Sequence, residues 1–332
     1  MKADDTNVFH TAINTLVASN ECEVKLNNIN FHRRLFCLIF NLIFNHKVVY
    51  LAVGFLNKRW KFLRTIFVGY SVEQGYLEPY AFPSFRSYIK TYKWTPFLAG
   101  FFIQDGKLGL KFFISSNEDD FYRADNKENL IQFASRVEDI RQISGATQNA
   151  FAGVLPGVLY RNRIIRSMSE TEVVIKCILK GISKVQTEEG YIGDIPLIVL
   201  GGNGFIGRRV IRQIKGRDVY CVDLDSEEQV SYSWPAHLKG SPAILINISR
   251  SFVLSNYIPH VWRELVLLNE VYPEPSPKEV ESYKEKGSSV YHLAGVKGRA
   301  YPSFPKGYSG AIPCCAAWMN QDIEVVLKKL GG

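Results

Sequence analysis

The sequence predicts an α/β protein of two lobes, with a C-terminal lobe built on a parallel sheet behind a separate N-terminal α+β lobe. Two observations support this fold class. Residues 195–225 have the pattern of a strand, a glycine turn, a helix and a second strand, and further apolar strands alternate with helices after them. The preceding residues have a mixed helix and hairpin pattern, and a chain of 332 residues is long enough for two domains.

The glycine turn lies in the sequence context that binds a dinucleotide. Leu197–Leu200 is a short apolar run, as expected of a strand buried on both faces of a parallel sheet. The GxGxxG motif that follows consists of Gly202, Asn203, Gly204, Phe205, Ile206 and Gly207. Its first glycine permits a tight turn, its second lets the backbone approach a pyrophosphate, and its third lets the helix pack close to the strand. We therefore predict a Rossmann unit; the alternative is a glycine turn that binds no nucleotide.

An acidic residue ends the second strand of this unit. Asp223 follows the apolar run Val219–Val222 and lies 21 residues after Gly202. A carboxylate at this position hydrogen-bonds the ribose hydroxyls of NAD and repels the 2′-phosphate of NADP. NAD(H) is therefore the favoured cofactor, although Arg208 and Arg209 could soften the repulsion and admit NADP(H).

The composition is that of a globular and modestly basic protein. The net charge of +8 suits a phosphate-bearing ligand, an acidic carrier protein or an anionic membrane, but is too diffuse to indicate nucleic acid. The six cysteines show neither disulfide nor zinc spacing, which fits a reducing cytoplasm. No histidine pair has metal-binding spacing, so no metal is expected. Residues 1–20 are polar and show no signal peptide, so a cytoplasmic location is expected.

Residues 31–64 combine apolar runs with basic residues. The blocks 35–44 and 48–56 are interrupted by polar residues and fall short of the roughly 18 apolar residues that indicate a spanning helix. One interpretation is a buried helix followed by a core strand. The other is a peripheral membrane contact, in which flanking residues lie among lipid headgroups: Arg33, Arg34, Lys58, Arg59, Trp60, Lys61 and Arg64.

The remaining patterns complete the two lobes. Asp105 and Gly106 between two apolar runs predict a β-hairpin, and residues 129–143 have helical spacing. After the glycine turn we predict strands at 243–248, 265–271 and 290–293, helices at 251–262 and 277–286, and a closing C-terminal helix at 316–330. The predicted domains are an N-terminal substrate lobe (1–165), a connecting helix (166–190) and a Rossmann lobe (191–332).

The position of the motif argues against a short-chain reductase. Those enzymes open the chain with this motif and use a Tyr-x-x-x-Lys pair. Here the motif begins only at Gly202, and none of the 17 tyrosines has a lysine four positions later.

A C-terminal Rossmann lobe behind a separate domain resembles the architecture of shikimate dehydrogenases, glutamyl-tRNA reductases and long-chain fatty acyl-(acyl carrier protein) reductases. The last family gives the longest run of similar segments in the same order: RVEDIRQISGATQNAFAG (136–153), ILINIS (244–249), VLLNEVYPEP (266–275), VYHLAGVKG (290–298) and AIPCCAAWM (311–319). The resemblance covers residues 130–325. It implies an acyl reductase of lipid metabolism that uses NADPH, with a thioester-forming cysteine at Cys314.

Cys314 is also a candidate nucleophile on its own chemistry. Thiolates attack thioesters and aldehydes readily, and the product can pass or receive a hydride at a nearby nicotinamide. At the start of the closing helix, the helix dipole would lower the pKa of its thiol. The alternative is a small packed core residue, and Cys315 is the second candidate nucleophile.

A second resemblance points to other residues. ILINISR, VYPEP and YHLAG resemble segments of the D-2-hydroxyacid dehydrogenases. This resemblance implies that Arg250 binds a substrate carboxylate, and that Glu274 orients His292 as the catalytic acid or base. The chain departs from that family after Asp223, where there is no room for an extra strand and helix. For His292 alone, the alternative is a structural histidine at a strand end.

Together these patterns predict a nicotinamide-dependent oxidoreductase that reduces an acyl thioester or aldehyde, with Cys314 and His292 as catalytic candidates. The substrate would be a small molecule or an acyl group linked to a carrier protein. The apolar N-terminal lobe would hold its hydrophobic chain or rest on a membrane. The alternative is a non-catalytic protein that binds NAD, and the sequence indicates no oligomeric state.

Overall fold

The structure is a computed structural model that describes residues 30–71, 77–223, 234–308, 310–320 and 322–331. Within these ranges the chain forms two sheets with helices packed against them. Residues 1–20, in which the sequence predicts no signal peptide, lie outside the described ranges.

The first part of the chain contains six helices and four strands among its described residues. In chain order they are α1 (Asn30–Phe44), α2 (Lys47–Trp60), β1 (Leu63–Tyr70), α3 (Pro83–Thr91), β2 (Phe97–Gln104), β3 (Lys107–Ile114), α4 (Glu118–Tyr122), α5 (Lys127–Ser144), β4 (Gln148–Phe151) and α6 (Leu155–Arg161). The helix predicted at 129–143 is therefore confirmed as α5.

The second part of the chain begins with a long helix and is dominated by strands. In chain order its elements are α7 (Glu170–Glu188), β5 (Leu197–Leu200), α8 (Phe205–Gln213), β6 (Val219–Val222), β7 (Ala243–Asn247), α9 (Leu254–Tyr257), β8 (Leu265–Asn269), α10 (Pro277–Glu285), β9 (Val290–Lys297), β10 (Arg299–Tyr301), β11 (Ala311–Ile312) and β12 (Val325–Leu330).

The first sheet has the strand order β10-β2-β3-β1-β4. β1 pairs in parallel with β3 and β4, whereas β2 pairs antiparallel with β3. The hairpin between β2 and β3 is the one that the sequence predicts. Its turn residues, Asp105 and Gly106, have φ angles of 49° and 69°, the left-handed conformations that a tight hairpin turn requires.

The second sheet confirms the predicted Rossmann-type parallel sheet. β6, β5, β7, β8 and β9 lie side by side in this order and pair in parallel. Leu200 is in register with Val222 on one side and with Asn247 on the other, and Asn247 is in register with Asn269. The carboxyl ends of these strands therefore form one edge of the sheet.

The two sheets share an apolar cluster between them. β10, from the second part of the chain, pairs with β2 of the first sheet. Lys111 on β3 is fully buried, and its Nζ donates a hydrogen bond of 2.7 Å to the Pro302 carbonyl. Gln104 and Trp318 exchange two hydrogen bonds of 3.1 and 3.2 Å. Apolar side chains from both sheets and from α7 pack together between them. The predicted domain boundaries stay predictions.

Two predicted elements are wrong. The closing helix at 316–330 does not form: residues 325–330 are β12, which pairs antiparallel with β9. The apolar spacing there suits either structure, and the free edge of β9 favours a strand. The block 48–56 is part of helix α2 rather than a core strand. Gly54 lets α2 pack closely against α5, because a Cβ at this position would lie 2.0 Å from the Ile143 carbonyl oxygen on α5.

Candidate functional site

The candidate site lies where the strand order of the second sheet reverses. The chain runs from β5 to β6 on one side, then crosses to β7 on the other side. In open parallel sheets, ligands bind outside the carboxyl ends of the strands at such a point. The two loops that leave β5 and β7 are close together here, since a Cβ at Gly201 would lie 2.9 Å from the Ser249 backbone nitrogen. The glycine turn therefore occupies the switch point of the sheet.

The glycines of the turn have different surroundings. A Cβ at Gly207 would lie 2.2 Å from the Gly201 carbonyl oxygen, and one at Gly202 would lie 2.5 Å from the Cys221 sulfur. A Cβ at Gly204 would meet only the Gly201 carbonyl, at 3.0 Å, so this glycine otherwise faces open space. Gly204 is the N-cap of α8, whose first backbone N–H groups have no partner within the helix. This geometry fits a pyrophosphate.

Phe205 and Ile206 anchor the start of α8. The Phe205 ring lies 6.3 Å from the Tyr160 ring on α6, and Ile206 packs against the shared core. The Arg209 guanidinium lies 3.5 Å from the centre of the Phe205 ring and donates a hydrogen bond of 3.0 Å to the Phe205 carbonyl. Arg209 is therefore engaged within the helix, whereas the neighbouring Arg208 is exposed.

Asp223 lies at the turn, as its spacing predicts. Its Oδ2 accepts a hydrogen bond of 2.7 Å from the Asn203 backbone N–H. The Cys221 thiol donates to Asn203 Oδ1 at 3.4 Å, so both contacts tie the glycine turn to the end of β6. The carboxylate is thus positioned beside the backbone that would face the pyrophosphate, where an acidic residue binds ribose hydroxyls in this fold.

Cys314 lies in a different environment from the one expected. It follows β11 in a turn rather than beginning a helix, and its side chain is buried. Its hydrogen bond with Cys177, together with burial, raises the pKa of its thiol well above the usual range. The expected lowering of this pKa by a helix dipole is therefore wrong, because the helix is absent.

His292 is fully buried near the start of β9 and takes part in a polar row with the residues that end β7 and β8. Asn247 Nδ2 donates to Asn269 Oδ1 at 2.8 Å, and Asn269 Nδ2 donates to His292 Nδ1 at 3.0 Å. Burial lowers the pKa of His292 to about 4, so the ring is neutral near neutral pH. Its Nε2 faces the Gly307 backbone without a hydrogen bond of standard geometry in the described part of the chain.

The residues named by the hydroxyacid dehydrogenase resemblance have other partners than the ones that it implies. Asn269, rather than Glu274, forms the hydrogen bond with Nδ1 of His292. Glu274 instead forms an ion pair of 3.8 Å with Lys328. Arg250 is exposed, with its guanidinium 5.8 Å from the centre of the Phe252 ring.

A cluster of ionisable residues lies where the two sheets meet, and only its cysteine is a candidate in the sequence. We call it the junction cluster; its members are Tyr70, Glu170, Glu270 and Cys315. Tyr70 ends β1 and Glu270 directly follows β8, so the cluster gathers at the carboxyl ends of strands from both sheets. A Cβ at Gly153 would lie 2.3 Å from the Tyr70 hydroxyl, and the Gly153 backbone hydrogen-bonds the Cys315 thiol.

The junction cluster holds protons near neutral pH. Desolvation raises the pKa of Glu270 to about 8 and that of the buried Glu170 to about 7. Desolvation, followed by the charges of these two carboxyls, raises the pKa of the partly exposed Cys315 to about 12. Carboxyls whose pKa lies close to neutral can act as general acids or bases. The sequence signal for Glu270 is its position at the end of a parallel strand.

The described residues contain no group of three or more metal-ligand side chains that could hold an ion. Two surface hollows, of about 430 and 340 Å³, have linings that include neither the glycine turn nor the junction cluster. The candidate site therefore rests on the strand ends and their loops rather than on either hollow.

Comparisons with known proteins give only distant likenesses. No family model matches the chain, and no match is found among curated proteins. A shikimate dehydrogenase in complex with NADP+ is similar at 10% identity and a TM-score of 0.36, over 69% of this chain and 84% of that one. A LacI-type transcriptional regulator from Bacteroides fragilis is similar at 8% identity and a TM-score of 0.31, over 80% and 96% of the two chains. Likenesses of this kind carry no argument about activity.

Proposed function

We propose that this protein is a nicotinamide-dependent oxidoreductase that binds its dinucleotide at the glycine turn. The observation that carries the proposal is the open backbone at Gly204, at the N-terminus of α8 and at the switch point of a parallel sheet. The first N–H groups of α8 would hold the pyrophosphate, and Asp223 would bind the ribose hydroxyls. NAD(H) is favoured because a carboxylate repels a 2′-phosphate. A bound nicotinamide would supply or accept a hydride.

The junction cluster would handle protons in this reaction. Glu270 follows β8, one strand beyond the switch-point strand β7, and its backbone N–H donates to the Asn247 carbonyl at 3.1 Å. With a pKa of about 8, its carboxyl can donate a proton at neutral pH and accept one at slightly higher pH. Glu170 and Tyr70 are further proton-bearing groups near Cys315.

The proposed substrate is an acyl thioester or an aldehyde, either as a small molecule or linked to a carrier protein. A cysteine of the Cys314–Cys315 pair would bond to its carbonyl carbon. Cys315 is the better placed of the two because it is partly exposed, whereas Cys314 is buried against Cys177. With a thioester, the enzyme sulfur would form the new bond to the acyl carbon while the carrier sulfur leaves. The thiol proton would pass through Glu270 to the departing thiolate.

A non-catalytic dinucleotide-binding protein is the second candidate. The observation that favours it is the state of the candidate nucleophiles, since the pKa values of both thiols are raised. His292, the other candidate, is fully buried. Such a protein would bind NAD(H) with no turnover, and its binding would not depend on these side chains.

Oxidation of NADH and NADPH in the presence of acyl thioesters distinguishes the two candidates. The enzyme proposal expects turnover that is lost in Cys315→Ser and reduced by about tenfold or more in Glu270→Gln. Cys37→Ser is a matched control, because the serine hydroxyl can keep the hydrogen bond of 3.4 Å to the Ala99 carbonyl in the first lobe. Loss in Cys314→Ala with full activity in Cys315→Ser would assign the chemistry to Cys314. Tight NADH binding without turnover on any thioester or aldehyde would favour the non-catalytic protein.

A further inference from the structure

We propose that the outer faces of α1 and α2 form a docking surface that holds this protein in the plane of an anionic membrane. We call it the elbow surface. It consists of exposed apolar residues around the bend between the two helices: Leu35, Ile39, Leu42, Ile43, Phe44, Val48, Leu51 and Phe55. This surface lies outside the dinucleotide site, and the proposal does not depend on the oxidoreductase function.

The exposed residues follow helical spacing on both sides of the bend. Val48 and Phe55 on α2 are 76% and 77% exposed, and Leu42 on α1 is 59% exposed. On α1 the apolar stripe recurs every three or four residues, and on α2 the same interval separates Val48, Leu51 and Phe55. Exposed apolar residues grouped in this way on a folded protein mark a protein or membrane contact.

The inner faces of both helices are fixed to the body of the protein. Asn57 on α2 accepts the Leu63 backbone N–H at 2.8 Å and donates to the Gly145 carbonyl at 2.7 Å. Asn41 on α1 accepts the Leu98 backbone N–H at 2.8 Å. These contacts hold Asn41 and Asn57 against the body of the protein. The apolar residues on the opposite faces of the two helices are therefore held toward solvent.

The charge around the elbow surface complements an anionic lipid headgroup. Residues 30–64 contain seven lysines and arginines and no aspartate or glutamate. Lys58, Arg59 and Lys61 are exposed at the end of α2 and surround Trp60, which is 63% exposed. Basic residues beside an exposed tryptophan and an apolar stripe are the composition of helices that lie in a membrane interface.

The geometry favours lying on a membrane over crossing one. No single described helix is long and apolar enough to span a bilayer; α1 and α2 pass that test only as a pair, by length and composition, and they are bent by 81°. A second copy of this chain is disfavoured as the occupant, because two such surfaces would bring their basic residues together without acidic partners.

Vesicle flotation of the full-length protein tests the proposal. We expect binding to phosphatidylcholine vesicles that contain phosphatidylglycerol, weakening with salt, and little binding to pure phosphatidylcholine. The triple variant Leu42→Ser/Val48→Ser/Phe55→Ser should bind about tenfold or more weakly, and so should Lys58→Glu/Arg59→Glu. Matched controls are Ile192→Ser, at a residue 96% exposed elsewhere on the surface, and Lys239→Glu, at another exposed lysine. Thermal unfolding checks that every variant folds.

Three outcomes would overturn the proposal. The first is failure of the wild-type chain to float with the anionic vesicles, and the second is equal binding to neutral ones. The third is a dimer in light scattering that the triple variant converts to a monomer while vesicle binding is absent, which would make a second copy the occupant.

Discussion

The Asp223 carboxylate accepts a hydrogen bond of 2.7 Å from the Asn203 backbone N–H, which ties the end of the second Rossmann strand to the glycine turn. The same carboxylate therefore shapes the turn and sets the charge beside it. The second role affects the choice of cofactor and can be tested.

Replacing the carboxylate should change the cofactor preference. In Asp223→Ser, we expect the affinity for NADPH relative to NADH to rise by about tenfold, because the repulsion of a 2′-phosphate is removed. Dissociation constants for both nucleotides, from fluorescence titration, give this ratio. Asp218→Ser is the control, because Asp218 is exposed just before β6, at the opposite end of that strand. An unchanged ratio in Asp223→Ser would remove this residue from cofactor selection.

Two glycines of the turn should respond differently to alanine. A Cβ at Gly204 meets only one atom, at 3.0 Å, whereas a Cβ at Gly207 would lie 2.2 Å from the Gly201 carbonyl oxygen. We expect Gly204→Ala to lose dinucleotide binding with little change in stability. Gly207→Ala should lose on the order of 2 kcal/mol or more of unfolding free energy.

Denaturant unfolding and nucleotide titration of the same samples separate these effects. Gly157→Ala is the control, because Gly157 lies in helix α6 and a Cβ there meets nothing within 4 Å. Alanine at that position should be neutral or stabilise by up to ~1 kcal/mol. Equal losses of stability in the two turn variants would contradict the packing described at Gly204.

The fold could be predicted from the sequence where a pattern has one structural solution. The strand, glycine turn, helix and acid around Gly202 are compatible with few other structures, so the parallel sheet could be predicted from them. The C-terminal residues 316–330 have apolar spacing that suits a helix or a strand, and the free edge of β9 decides between them. The pairing of these residues with β9 is a tertiary contact, which the local spacing of apolar residues does not reveal.

The site was predicted only in part because two of its features depend on burial. The sequence identifies Cys314 as a thiol next to a proline but does not show that it packs against Cys177, which raises its pKa. Glu170 and Glu270 are 100 positions apart in the chain, and only the meeting of the two sheets places both beside Cys315.

The thiol of Cys315 should respond to the charge of Glu270. Burial and the neighbouring carboxylates raise the pKa of Cys315 to about 12, so we expect slow alkylation by iodoacetamide at neutral pH. Glu270→Gln removes one negative charge and should lower that pKa and speed the alkylation. The gain should appear mainly above pH 8, where Glu270 is ionised in the wild type. Peptide mapping by mass spectrometry assigns the modified cysteine, and an equal rate in both proteins at high pH would contradict the coupling.

Glu170 should make the protein less stable as pH rises. Burial raises its folded-state pKa from 4.5 to about 7, so the folded protein binds a proton that the unfolded chain has released. The stabilisation is fully present below the unfolded pKa of 4.5 and is lost as pH rises through about 7. At pH values above this window, Glu170→Gln should be more stable than the wild type by on the order of 2–3 kcal/mol.

Urea unfolding across this pH range measures the effect. Glu172→Gln is a matched control, since Glu172 lies in the first turn of the same helix but is exposed. A wild type whose stability rises between pH 5 and 8, with no difference in Glu170→Gln, would contradict the effect of burial on this carboxyl.

Calorimetric titration of NADH and NADPH into the wild-type protein and Gly204→Ala tests the central claim most directly. The claim is that the glycine turn at the switch point of the second sheet is a dinucleotide site. We expect the wild type to bind one dinucleotide per chain, with NADH bound more tightly, and Gly204→Ala to show no binding while it unfolds at the wild-type temperature. Absence of binding for both nucleotides in the wild type, or unchanged binding in Gly204→Ala, would contradict it.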